Sequence, residues 1–255
     1  MYKTLGIQLY TVRDSMHTAH DIREVFKALK AMGYDKGQTA DITIPYEEFG
    51  RIAKEENFEI IGTHENFFHL LNDTEQAIEE HKALGTTNMG IGGLPKEFYE
   101  SREKALEFCK YVNTIGEKIK PHGMKFTYHN HSPEFKKFDN ETFMDIIVNN
   151  IDPSYFSVVL DTYWVQYGGG DVRQWIEKLA GKIDLLHLKD MIVWDWDPHV
   201  CEVGRGNLWW SEIIKIAEAT GVKELVVEQD GNWVTGNALE SAKISADYLA
   251  QFLDR

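Results

Sequence analysis

Four apolar runs in the second half of this chain each finish on a side chain of the kind that binds metals. Residues 125–129 end on His129, with Glu134 just beyond, and residues 156–161 end on Asp161. Residues 183–187 end on His187, and residues 224–228 end on Glu228. Segments with helical spacing separate all four. Strands that each close on a ligand-type residue describe the C-terminal rim of a (β/α) barrel, where such folds keep their active sites.

The rest of the chain keeps the same rhythm. Strands are expected at 4–11, 34–42, 59–64, 89–94, 125–130, 157–162, 183–189 and 224–228. Helices are expected at 20–32, 46–57, 73–84, 101–120, 141–148, 172–179, 209–219 and 239–253. The helix over 20–32 carries Ile22, Val25, Phe26, Leu29 and Met32 on one side and stops at Gly33. Asp73 is placed to cap the third helix and Gly85 to end it. Residues 192–207, rich in Trp, Asp and Gly, are expected to form a long loop able to act as a lid.

Eight β/α alternations without low-complexity linkers predict an α/β fold, a single (β/α)8 TIM barrel over residues 1–255. An open doubly wound sheet is the competing architecture. It normally carries G-x-G-x-x-G after an early strand, and this chain has none.

Lys and Arg number 27 against 41 Asp and Glu, a net charge of −14 that repels nucleic acid. No apolar run approaches the ~18–20 residues of a membrane-spanning helix. The N-terminal segment lacks the apolar stretch of a signal peptide. Cys109 and Cys201 lie far apart and read as reduced thiols. These features predict a cytoplasmic protein without nucleic-acid or membrane partners; homo-oligomerisation is compatible with them.

Alternate residues of a barrel strand face inward. Val159 with Asp161, Leu185 with His187 and Lys189, and Val226 with Glu228 therefore each set an apolar residue in the barrel and a polar one at its mouth. Two carboxylates and an imidazole suit Mn²⁺, Co²⁺, Mg²⁺ or Zn²⁺. His129 and His131 share a face of the fifth strand, and one of them is a candidate ligand or base. His64 ends the third strand as a candidate for a substrate hydroxyl. Lys189 is placed to stabilise a developing oxyanion. Trp164 and Arg205 are candidate substrate contacts on the same rim. His17 and His20 read as solvated.

The stretches L-G-I-Q-L-Y-T-V-R-D, Y-H-N-H-S-P-E-F, V-V-L-D-T-Y-W, L-H-L-K-D, V-G-R-G-N-L-W-W and V-E-Q-D resemble the sugar phosphate isomerase/epimerase family of the xylose isomerase-like barrels. The resemblance runs from the first strand to the last. It implies a divalent metal, Mn²⁺ first, held by residues of the last four strands. Asp161, His187 and Glu228 match three of these ligands. The fourth is His129 or Glu134, with Glu134 preferred on ligand charge.

The resemblance also implies a small carbohydrate substrate and a metal-dependent isomerase or epimerase working through an enediolate, with Glu228, His129 and Lys189 as its catalytic groups. Ketose epimerases of this kind carry Glu where this chain has His129, and His where it has Trp164. The His-Asn-His form resembles enzymes that eliminate water from inosose or keto-sugars. A lyase is therefore the second reading, and a catalytically silent sugar-binding barrel the third. The endonuclease branch of the superfamily is disfavoured by the charge.

Overall fold

In the computed structural model, which describes residues 2–254, eight parallel strands form the barrel. They are β1 (Leu5–Gln8), β2 (Tyr34–Ala40), β3 (Glu59–His64), β4 (Asn88–Ile91), β5 (Lys125–His129), β6 (Phe156–Asp161), β7 (Ile183–Leu188) and β8 (Glu224–Val227). Their order is β3-β2-β1-β8-β7-β6-β5-β4. The ends of this sheet meet at a bridge between Glu65 and Ile91, where the Glu65 N–H donates to the Gly90 carbonyl at 2.8 Å.

Two apolar layers hold the barrel. Inside it, Ile61, Val159, Leu185 and Val226 form a compact cluster. Three of them stand two residues before Asp161, His187 and Glu228, so the period of two that buries the valines and leucine lifts the polar residues to the mouth. Between strands and helices lies the larger core, in which Phe26 stacks on Phe58 at 4.3 Å and meets Phe49 edge-on at 5.7 Å.

The outer helices are α1 (Ala19–Met32), α2 (Tyr46–Glu55), α3 (Phe67–Asn72), α4 (Thr74–Leu84), α5 (Arg102–Ile119), α6 (Phe143–Asn150), α7 (Thr162–Tyr167), α8 (Val172–Lys178), α9 (Trp210–Thr220) and α10 (Ala238–Leu249). Their starts follow from side chains that accept otherwise unpaired N–H groups. Thr18 with Asp21 and Thr142 with Asp145 form reciprocal capping boxes, and Ser101 caps α5. Asp73 does precede α4, but its side chain accepts no capping hydrogen bond.

Two short helices were not anticipated from the sequence, α3 and α7. Each follows a strand end and is capped by a residue there, Asn66 and Asp161.

The segment expected to be a loop is instead largely a hairpin, with Asp190–Trp194 antiparallel to Asp197–Cys201. The buried Asp190 carboxylate roots it, accepting from the N–H groups of Met191, Gly204, Gly206 and Leu208 and from Trp210 Nε1 at 2.6–3.2 Å. A Cβ at Gly206 would lie 2.3 Å from Asp190 Oδ1, so this approach requires glycine there.

His81 is a second buried polar hub. Its Nδ1 lies 2.7 Å from the Ala77 carbonyl and its Nε2 2.8 Å from Thr63 Oγ1, which also accepts from the Gly90 N–H. The ring thus supports β3 and β4 where the barrel closes, as a neutral imidazole that donates from one nitrogen and accepts at the other. Burial lowers its pKa to about 4. The unfolded chain takes up this proton near pH 6.5, so stability present above that pH is lost as the pH falls toward 4. The expected loss is on the order of 3 kcal/mol. Urea unfolding at pH 7 and pH 4.5, compared between the parent chain and His81→Gln, measures it. An equal pH dependence in both would remove His81 as the cause.

Candidate active site

Four ligand-type side chains converge at the mouth of the barrel: His129 from the end of β5, Asp161 from β6, His187 from β7, and Glu228 just after β8. Their ligand atoms all lie within 4.8 Å of one another, and all four residues are buried. His187 Nδ1 is 2.9 Å from Glu228 Oε2 and 3.8 Å from Asp161 Oδ2. His129 Nε2 is 3.5 Å from Asp161 Oδ2 and 3.8 Å from Glu228 Oε2. Ligands ~2.1 Å from one ion stand ~3.0–3.4 Å apart, close to these separations.

The outward atoms of three of these residues, His129, His187 and Asp161, are already committed. His129 Nδ1 is 3.2 Å from the Gly92 carbonyl, a donor contact that leaves the Nε2 lone pair facing the cluster. His187 Nε2 is 2.5 Å from Gln38 Oε1, which leaves Nδ1 inward, and Gln8 Nε2 donates to the same oxygen at 3.1 Å. Asp161 Oδ1 accepts from the Trp164 N–H, and the Asp161 N–H donates to Asn130 Oδ1, both at 2.9 Å. Outward hydrogen bonds that fix imidazole tautomers and carboxylate orientation are what a metal centre needs. The donor set therefore fits a divalent ion.

Charge balance in the cluster comes from Lys189. Its Nζ is buried, 3.3 Å from Glu228 Oε2 and 3.8 Å from Asp161 Oδ2, and it also pairs with Asp230. Burial opposes the charge of Asp161 and Glu228, yet Lys189 and the neighbouring histidines hold both carboxyls below their usual range. Burial likewise opposes an imidazolium at His187, but Glu228 and Asp161 outweigh it and raise the group to about 9.

The cluster opens into a cleft of about 550 Å³ whose wall includes His129, Glu228, Lys189, His64, His131, Arg13, Glu65 and Asp230. Gln8 Nε2 lies 3.2 Å from His64 Nδ1, while His64 Nε2 has no protein partner. Burial holds His64 well below its ordinary pKa. The ring is thus a neutral group with one N–H free for a ligand oxygen. His131 is also neutral, lowered to about 3 by burial and by His129, and its ring packs on Trp164 at 5.1 Å. Trp164 backs this wall, with Lys189 Nζ 5.2 Å from its ring centre.

Two residues expected at the site stand elsewhere. Glu134 is outside the cluster, and this corrects the preference for it over His129. Its Oε1 accepts from Tyr99 and Tyr128 at 2.7 Å each, and its Oε2 accepts from the His131 N–H at 3.0 Å. The turn at Ser132 and Pro133 carries its carboxylate back under the strand end, where it orients His131. Arg205 does not line the cleft. It lies in a separate depression with Trp194, Cys201 and Glu202, 3.9 Å from the Glu202 carboxylate. The hairpin that was to be the lid keeps its tryptophans off the cleft as well: Trp194 stacks on His199, and Trp196 is 99% exposed.

Sequence reasoning missed Gln8, Gln38, Arg13, Glu65 and Asp230. Asp230 had a signal, since it stands two residues beyond Glu228. The glutamines had none, because an amide within a strand reads as an ordinary polar residue until its partner is known.

Comparison with known proteins places these observations in a wider group. The family model described as xylose isomerase-like TIM barrel matches residues 26–252. A curated relative, inosose dehydratase of Mesomycoplasma hyopneumoniae strain 7448, is 24% identical over 176 residues, covering 61% of this chain. The match spans 57% of that relative's length. A crystal structure of a sugar phosphate isomerase/epimerase from Parabacteroides distasonis superposes with a TM-score of 0.84 at 24% identity, covering 100% of this chain and 96% of that one. A structure of IOLI protein with a bound zinc atom superposes with a TM-score of 0.72 at 14% identity, covering 99% and 100% of the two chains. Among the described residues, no helix is long and apolar enough to cross a membrane.

Proposed function

The chain belongs to the xylose isomerase-like TIM barrel family, and from that premise we propose a divalent-metal-dependent enzyme that removes the proton beside the carbonyl of a keto-sugar or cyclitol. The observation that carries this reading is the set of four inward-facing ligand atoms, with the outward atoms of His129, His187 and Asp161 already hydrogen-bonded. His129, Asp161, His187 and Glu228 would hold the ion. A divalent ion, Mn²⁺ or a relative, supplies the positive charge that acidifies a carbon between two substrate oxygens.

The chain's own residues supply the rest. Glu228 uses Oε2 in the cluster, and its Oε1 is left to accept the substrate proton. Lys189, one of the cations in the cleft wall, stabilises the negative charge that develops on the substrate oxygen. His64 Nε2 and the His131 ring orient hydroxyl groups.

Elimination of water is the outcome this geometry favours. Return of the proton to the opposite face needs a second base on the strand 5 side; both nitrogens of His129 are committed, one to Gly92 and one to the cluster, and His131, lowered to about 3 by burial and by His129, is a weak base. The match to an inosose dehydratase supports the same choice. Isomerisation is the second reading, because the free oxygen of Glu228 can also deliver the proton to the neighbouring carbon.

The direct test is incubation of the metal-loaded protein with inosose in D₂O, followed by NMR. Deuterium entering next to the carbonyl together with loss of water supports dehydration. Bound ligand without either would leave a silent binding barrel. Lys189→Met is expected to lower kcat by ~10²–10³ on the substrate that exchanges. Unchanged turnover would remove Lys189 from the reaction.

A further inference from the structure

Two carboxyl residues of the cleft wall, Asp41 and Glu65, are used neither by the cluster nor by its counter-charges, and Glu65 is the one fixed at the closure of the barrel. Glu65 follows the last residue of β3 and lines the same cavity as Glu228. Its backbone N–H closes the barrel against Gly90, so its position is fixed by the sheet. Tyr46 of α2 donates its hydroxyl to Oε2 at 2.9 Å. No ion pair to Glu65 forms among the described residues. In the ring of strands, β3 lies four places from β7 in either direction, so its end faces the His187 side of the cluster across the cleft.

Resting on the dehydratase reading above, we propose that Glu65 is the general acid of the elimination, oriented by Tyr46 and handing its proton to the hydroxyl that leaves. Glu228 takes the proton from carbon, and that electron pair forms the new double bond. The carbon–oxygen bond breaks, and the departing hydroxyl takes the Glu65 proton and leaves as water. Solvent then reprotonates Glu65 and receives the proton from Glu228, so the net reaction is loss of one water molecule.

The surroundings keep the group protonated far above the usual range of a carboxylic acid. Burial raises its pKa to about 7, and Glu80 of α4 and Asp41 after β2 add to the rise, while the Tyr46 hydroxyl and His69 of α3 oppose it. An acid poised near neutral pH is the kind that donates well to a leaving group.

The experiment compares the metal-loaded wild type, Glu65→Gln and Tyr46→Phe with inosose in D₂O, reading deuterium incorporation and water loss separately. Glu65→Gln is expected to keep incorporation near the wild-type rate and to lose ~10²–10³-fold in elimination. Tyr46→Phe removes a hydrogen bond that lowers the Glu65 pKa, so it should move the high-pH limb of the elimination profile upward. An infrared band of a protonated carboxyl that titrates near pH 7 in wild type should be missing from Glu65→Gln. Elimination that is insensitive to Glu65 while exchange continues would overturn this assignment alone. Equal loss of both readouts in Glu65→Gln would reduce Glu65 to a structural role and overturn it too. Absence of both from the wild type would overturn the dehydratase reading, and the assignment with it.

Discussion

Glu228→Gln should slow exchange of the substrate's carbon-bound proton by ~10³–10⁴-fold, within the usual worth of a positioned acid–base group. The amide keeps the size and one cluster oxygen of Glu228 but cannot accept a proton. It also removes one of the charges that Lys189 and His187 face at 3.3 Å and 2.9 Å. His129→Asn separates base from ligand. With its nitrogens facing the cluster and Gly92, His129 should matter first for holding the ion, so added metal should restore part of the rate in His129→Asn and none in Glu228→Gln. Both exchange rates are read by NMR in D₂O over a series of metal concentrations. If both variants exchange at the wild-type rate, neither residue takes part and the mechanism is wrong.

Metal binding should also be visible without any substrate. An ion at ~1,000 times its Kd stabilises the folded state by ~4 kcal/mol, because the unfolded chain has no assembled site. For a chain of this length that corresponds to a rise in Tm of ~8–16 °C. Mn²⁺, Co²⁺, Mg²⁺ and Zn²⁺ added one at a time to chelator-treated protein would rank the ions. His187→Ala should erase the rise, since it removes one donor atom and the ring that Gln38 holds in place. Scanning calorimetry checks this, and an undiminished rise in His187→Ala would mean that the ion binds elsewhere.

Much of the fold and the centre of the site follow from local sequence. Most of the eight strands were legible because an apolar run is bounded by helical spacing and turn residues, and β3, at Glu59–His64, matches its expected bounds, whereas β2, with Asp35, Lys36 and Gly37, and β4, with Gly90, carry a weaker local signal. The convergence of Asp161, His187 and Glu228 was legible as well. A strand alternates its faces, so an apolar residue two positions earlier, Val159, Leu185 or Val226, places the polar one above it. The long helix expected over 101–120 from its amphipathic spacing is α5, Arg102–Ile119.

The tertiary structure alone decided what depends on side chains meeting from distant parts of the chain. Whether His129 or Glu134 joins the cluster turned on Tyr99 and Tyr128, which claim the Glu134 oxygen through 2.7 Å hydrogen bonds that a turn beyond β5 brings within reach. Lys189 adjoins Asp190 along the chain, and the sequence alone does not say whether it pairs with that neighbour or enters the cleft. Its burial against Asp161, Glu228 and Asp230, with Asp190 instead gathering the N–H groups of the hairpin base, settled its position. Gln38 is 149 residues from His187, and Tyr46 reaches Glu65 from another element. Spacing along a strand gives the face of a residue; only the closed barrel gives its partners, because those contacts exist once all eight strands have come together.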